Sequence, residues 1–209
     1  MGIVTKLECA QRKNGRKSIY LDDEYVCTLD DFSIFKNKIV VGREIAINEL
    51  QAIQIQSDAD YYFQKMVQIL SKTAKTTKQV REYLAGLGLM KETIQIVLDK
   101  LDEYKLVNDE IYAKRYWDNH KTTRGVMRIR FELRQNGIAE SVIDEVLQDV
   151  DNQNEEVWIL SLKYMKGKEL NYTNYNKLMR YLAGKGFCMD DINVAIQRLK
   201  AGEDNEDWE

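Results

Sequence analysis

The 209-residue chain has no proline, one histidine and three cysteines. Each scarcity closes off a class of function. Cys9, Cys27 and Cys188 are scattered and odd in number, which fits a reducing compartment better than a disulfide framework. One histidine and no Cys-x-x-Cys pair or Cys/His cluster leave no zinc-ligand spacing. His120 itself, between Asn119 and Lys121, reads as an exposed surface residue and not as a base. No apolar run approaches the roughly 18 residues a membrane helix needs. The opening "MGIVTKLECAQRKNG" lacks the apolar centre of a signal peptide. Lys6 stands where a myristoylation signal beginning at Gly2 needs Ser or Thr. The expected setting is therefore the cytoplasm, with no membrane partner.

Catalytic signatures are scarce too. There is no G-x-x-x-x-G-K-[ST] phosphate loop and no G-x-S-x-G nucleophile elbow. "LAGLG" and "LAGKG" look Gly-rich, but they follow helical patterns where a phosphate loop must follow a strand. Carboxylates fall where helix starts want them: Asp109-Glu110, Glu155-Glu156 and Asp190-Asp191. The residues point to a non-enzyme with no catalytic site, cofactor or metal.

What the chain does have is a repeat. "EYLAGLGL" spans 82–89 and "RYLAGKGF" spans 180–187, and a third copy lies midway in "ELRQNGI", so that Gly88, Gly137 and Gly186 are evenly spaced by 49 residues. Counted from these glycines, apolar residues keep register: Val80/Ile129/Leu178, Leu84/Leu133/Leu182, Leu89/Ile138/Phe187, Ile94/Ile143/Ile192, Val97/Val146/Ala195, Leu98/Leu147/Ile196 and Leu101/Val150/Leu199. Such self-similarity marks a repeat architecture. Within each copy the last segment, such as Ile94, Val97, Leu98 and Leu101, follows the i, i+3, i+4, i+7 period of one helix face. The segment before each glycine is helical as well. It starts on a Thr76-x-x-Gln79 capping box in copy one, on Gly125 in copy two and on Asn174 in copy three. The shared glycine closes the helix in a left-handed conformation. With first helices expected at 58–71, 109–120 and 154–166, each copy is a three-helix unit.

Residues 1–57 lack the repeat and read as a small β-rich domain. Asn14-Gly15 signals a hairpin and Asp22-Asp23 a second tight turn. A short helix, a loop and an extended piece follow, and a new helix begins near "INELQAIQI". The fold class is mainly α. The expected domains are 1–57 (β-rich), 58–107, 108–152 and 153–200 (three-helix units stacked into an elongated, curved array) and an acidic, disordered tail at 201–209.

Charge is unevenly spread. The whole chain has 31 basic and 34 acidic residues. Between 111 and 138 the basic residues are Lys114, Arg115, Lys121, Arg124, Arg128, Arg130 and Arg134, against Asp118 and Glu132 alone. Tyr112, Tyr116 and Trp117 precede the arginines. Arginine with aromatics suits protein interfaces and nucleic-acid grooves. The plainer alternative is a solvated face, with Arg128 and Glu132 an ordinary i, i+4 pair and the aromatics part of the core. A direct DNA-binding reading is open as well, because each unit has a glycine turn before its last helix. However, "AESVIDEVLQDV" in copy two is acidic and would be repelled by phosphates.

These residues resemble the RecX family, bacterial regulators of the RecA recombinase. The resemblance rests on Asp109, Glu110, Tyr112 and Ala113, then Gly125, Arg128, Ile129, Glu132, Leu133, Gly137 and Ile138, with "TTKQVREYLAGLGL" a further likeness. It covers about 58–200, and the β-rich extension is similar to that of Gram-positive members. It implies a protein that binds the RecA–DNA filament, possesses no chemistry of its own and lowers strand exchange and ATP hydrolysis; the chain is expected to be a monomer. On that resemblance the expected partner-binding residues are Lys114, Arg115, Arg124, Arg128, Arg130 and Arg134, facing RecA or filament DNA.

Overall fold

The computed structural model describes residues 1–10, 15–150 and 152–202. Among the described residues the chain forms four strands and ten helices, divided between two compact units, 1–107 and 108–209.

The first unit opens with strands β1 (Gly2–Cys9), β2 (Arg16–Leu21) and β3 (Glu24–Asp30). Asp22 and Asp23 both take positive φ, 49° and 67°, as a two-residue hairpin between right-twisted strands requires. The hairpin expected at Asn14-Gly15 lies partly outside the described residues; Gly15 has φ 75°. Helix α1 (Asp31–Lys36) follows, capped by the Asp30 carboxylate on the Ser33 N–H at 2.8 Å. Strand β4 (Glu44–Ile45) then pairs antiparallel with β1 and completes a sheet of order β3-β2-β1-β4. Val4, Ile19, Leu21, Cys27 and Leu29 bury one sheet face against Ile34, Ile39, Ile45 and Leu50.

Leu50 belongs to α2 (Ile47–Leu70), a 24-residue helix that starts within the sheet domain and continues into the first repeat. The boundary expected at 57/58 falls inside this unbroken helix. Arg16, 2% exposed, fastens it to the sheet: Nη2 donates to the Thr28 carbonyl at 2.6 Å and to Asp58 at 2.5 Å. Ser57 adds a hydrogen bond to Asp30 at 2.6 Å. Among the described residues the Arg16 Nε and Nη1 atoms have no hydrogen-bond partner, and the guanidinium lies 5.0 Å over the Tyr61 ring.

Helices α3 (Thr77–Gly86) and α4 (Lys91–Glu103) complete the first repeat with α2. The second unit holds α5 (Asp109–His120), α6 (Val126–Gln135) and α7 (Glu140–Leu147), then α8 (Asn154–Met165), α9 (Tyr172–Gly184) and α10 (Met189–Ala201). Three three-helix repeats result. Val80, Ile129 and Leu178 are each fully buried, as are Leu84, Leu133 and Leu182, so the repeated apolar columns are the three cores. Gly88, Gly137 and Gly186 have φ of 75°, 83° and 86°, the left-handed closure that spares L-residues a Cβ clash. The Thr76–Gln79 capping box is present.

The cap of the third repeat corrects the sequence reading. Asn171, not Asn174, caps α9, accepting the Asn174 N–H at 2.9 Å. An Asx side chain three residues upstream of Asn174 adds another turn to this copy. His120 is half-buried rather than exposed. Its ring stacks on Tyr116 at 4.2 Å between centroids.

Candidate anion-binding cleft between two repeats

Helix α6 starts at Gly125, which offers no capping side chain. Its first N–H groups still need acceptors, and the third repeat supplies them. Gly125 N–H donates to the Lys185 carbonyl at 2.9 Å, and Met127 N–H to the Gly186 carbonyl at 3.2 Å. Val126 N–H donates to Gln153 Oε1 at 2.8 Å. The C-terminal carbonyls of α9 thus meet the N-terminus of α6, which also aligns the two helix dipoles favourably. Only glycine permits the approach. A Cβ on Gly125 would lie 2.0 Å from the Gly186 carbonyl carbon and oxygen, and one on Gly186 would lie 2.4 Å from Arg128 Cβ.

Gln153 is 2% exposed and satisfies every polar atom of its amide. Besides accepting from Val126, its Nε2 donates to the Lys121 and Arg124 carbonyls at 3.0 and 3.3 Å. Its backbone N–H donates to the buried Asp191 carboxylate at 3.1 Å. Of the acids read as helix-start residues, Asp191 therefore also ties α10 to the start of α8.

The arginines singled out in the sequence do not act as one group. Arg130 donates to Glu140 and Asp144, at 2.6 and 2.5 Å, and Arg134 grips the same Glu140 at 2.8 and 2.9 Å. Those two cations are matched by two of the three carboxylates of α7, Glu140 and Asp144. Lys114 pairs with Glu110, Lys121 with Asp118, and Arg115 is exposed on α5. Arg124 and Arg128 share one carboxylate, Glu132, at 2.7 Å each, and Arg124 also bonds the Tyr116 hydroxyl. Burial, the largest single influence on Glu132, raises its pKa. Hydrogen bonds from Arg128, Tyr116 and Arg124 outweigh it and hold the carboxyl below the usual range. Burial, then the Glu132 hydrogen bond, pushes the Tyr116 phenol up.

Arg124 and Arg128 instead join two cations of the third repeat. Arg180 and Lys185 come from the end of α9 and, with Tyr181 and Gly184, complete a cleft of about 490 Å³. Four cations and the single Glu132 leave it strongly positive. Arg180 has no hydrogen-bond or ion-pair partner among the described residues. The Lys185 ammonium lies 5.4 Å over the Tyr181 ring, which stacks at 4.8 Å on Tyr164, itself covered by Lys168 at 3.4 Å. Such an arrangement can hold an anion with several acceptor oxygens.

Arg180 and Lys185 escaped the sequence reading, although a signal for them exists. Six residues before the shared glycine stand Glu82, Phe131 and Arg180, and one before it stand Leu87, Asn136 and Lys185. Only the third copy is cationic in both columns.

No helix among the described residues is long and apolar enough to cross a membrane, and no group of three or more His, Cys, Asp or Glu could hold a metal. Cys27 is no nucleophile: burial, with the Asp58 charge, pushes its thiol up to about 12.

Comparison with known proteins places this architecture. A family model described as "RecX, second three-helix domain" matches residues 108–147, and one described as "Regulatory protein RecX N-terminal domain" matches 2–46. Regulatory protein RecX of Clostridium tetani is 31% identical, with 94% of each chain covered. The chain belongs to the RecX family. Regulatory protein RecX of Clostridium perfringens strain 13 is 30% identical over 97% of this chain and 99% of that one. A crystal structure of RecX from Lactobacillus salivarius is 26% identical, with a TM-score of 0.62 over 69% of this chain and 97% of that one. Another crystal structure of a regulatory protein RecX covers 94% of this chain and 100% of its own, at 26% identity and a TM-score of 0.66. A regulatory role follows from membership of the RecX family. The matched second domain carries Arg124 and Arg128, while Arg180 and Lys185 lie beyond its end.

Proposed function

We propose that this chain regulates homologous recombination by binding the filament that RecA forms on DNA, lowering its ATP hydrolysis and strand exchange. Family membership supplies the regulatory role. The observation that carries the rest is the cleft of Arg124, Arg128, Arg180 and Lys185, cationic on a chain with an excess of acids. A nucleoprotein filament offers the anions such a cleft takes, as DNA phosphates and as acidic side chains. The protein acts by occupancy, with no bond made or broken. The test is RecA ATP hydrolysis on single-stranded DNA, titrated with the full chain. Inhibition that saturates, and that fades as salt rises from 50 to 200 mM, is expected, because part of the attraction is screened charge. Unchanged RecA turnover at a large excess of the chain refutes the proposal.

The runner-up is direct binding to free DNA. The same cleft favours it, and comparing naked strands with RecA-coated strands separates the two.

A further inference from the structure

The cleft has the makings of a phosphodiester site, and we infer that it takes the backbone of a single strand of nucleic acid, with Tyr181 as a stacking platform. The inference deepens the filament-binding reading and rests on it for the source of the strand.

Unused donors carry the argument. Arg124 donates to Tyr116 and Glu132 through Nη1, and Arg128 to Glu132 through Nε. Their remaining guanidinium nitrogens, and the whole of Arg180, have no acceptor among the described residues. Three arginines and Lys185 therefore line one 490 Å³ space with donors to spare. An acidic side chain is the weaker of the two anions the filament offers, because one carboxylate, like Glu132, leaves most donors empty. A nucleic-acid strand brings a charge and two unesterified oxygens per phosphate, repeated along its length, and guanidinium forks pair with such oxygens in parallel.

The edge of the cleft favours one strand over two. Tyr181 lines it, and its ring is held flat by the Tyr164 stack. The Lys185 ammonium lies over that ring, 5.4 Å from its centre, so an unpaired base stacks there by displacing it, and the freed ammonium meets the strand's phosphate beside Arg180, as in sequence-tolerant single-strand grooves. A paired base cannot turn its face to a side chain. Gly184 adds a further element. It is the last residue of α9, has no positive φ, and a Cβ there would meet nothing within 4 Å. A strand can approach that bare backbone closely.

The experiment uses the full chain and a fluorescent oligo-dT probe without RecA, read by anisotropy at 50 and 200 mM salt. Three variants are compared: Arg180→Ala with Lys185→Ala, Gly184→Glu, and Arg130→Ala with Arg134→Ala. The first should bind at least tenfold more weakly, with a log–log salt slope shallower by about 1.4, since each single-strand phosphate contact contributes roughly 0.7. Gly184→Glu places a carboxylate in the cleft from a site with room for it. It should also lose at least tenfold while melting like wild type. Arg130→Ala with Arg134→Ala should stay within twofold. Duplex of equal length and polyglutamate should compete at least tenfold less well than unlabelled strand. Wild-type binding by the first two variants, or equal competition by duplex or polyglutamate, overturns the inference. The filament reading fails separately, if strand binding is as stated but RecA ATP hydrolysis is untouched by wild type.

Discussion

Replacing Gly125 by Ala tests the seam between the second and third repeats. The local backbone does not resist alanine, since φ is −74°. Judged from the helix start alone, the change costs about 1 kcal/mol, the ordinary difference between glycine and alanine at an N-cap. The seam gives a different figure. The new Cβ would stand 2.0 Å from the Gly186 carbonyl atoms and 2.1 Å from the Phe187 nitrogen, all backbone. Ordinary contact begins near 3.4 Å, so the two chains must part by about 1.4 Å. The Gly125–Lys185 and Met127–Gly186 hydrogen bonds, at 2.9 and 3.2 Å, cannot survive that separation. Two lost backbone bonds at roughly 1 kcal/mol each, with overpacking of roughly 1–3 kcal/mol, give a loss of about 3–5 kcal/mol. Urea unfolding followed by circular dichroism at 222 nm measures it directly, and the melting temperature should fall by at least about 6 °C. Gly88→Ala is the control. There φ is 75° and a Cβ meets nothing within 4 Å, so only the left-handed strain of about 1–2 kcal/mol applies. A Gly125→Ala protein within about 1 kcal/mol of wild type would mean that the repeats are not joined through these backbones.

Four further outcomes are expected. Gln153→Glu replaces the donor facing the Lys121 and Arg124 carbonyls by an acceptor and should destabilise the second unit by about 2–4 kcal/mol in the same urea assay; a loss under 1 kcal/mol would contradict the bridge. Asp58→Ala leaves the Arg16 guanidinium buried without its counter-charge, and a loss of about 3 kcal/mol is expected; proteolysis of the sheet should rise with it, and an unchanged rate counts against the clamp. Glu132, whose carboxyl titrates below its unfolded value, contributes stability that is full above the unfolded pKa and lost as pH falls through the folded one; Glu132→Gln should therefore flatten the acid limb of a stability–pH curve, and an identical limb would refute the arginine pairing. Gly137→Val forces a β-branched residue to φ 83° and should cost about 1–3 kcal/mol, read as a lower melting temperature.

The repeats were legible because core packing has a period. Ile94, Val97, Leu98 and Leu101 sit on one helix face in the sequence and in the first repeat's core. The glycine signal was equally local: Gly88, Gly137 and Gly186 each close their own helix. Asp22 and Asp23 announced a turn through their own side-chain chemistry. The candidate site was less legible, because its charges are decided by partners that are distant in sequence. Arg130 and Arg134 look like a free pair until α7 folds back and brings Glu140 against both. Gly125 looks like a weak cap until the third repeat provides the acceptors. Arg180 and Lys185 look like ordinary solvated residues of α9 until Arg124 and Arg128 arrive opposite them. Asn171 was missed for a simpler reason: a reading in strict repeat register skips a copy that begins one turn early.

Helix α2 has mechanical consequences. At 1.5 Å per residue its 24 residues make a rod about 36 Å long. One end is part of the sheet's core through Leu50, and the other packs the first repeat through Tyr62 and Met66. Arg16 clamps it near mid-length, through Asp58. A force on the sheet would therefore pass into the first repeat as a push or torque on a stiff shaft, because nothing between them can bend and absorb it. The sheet works as a handle welded to that repeat, and cutting the chain at 57/58 would saw through the shaft.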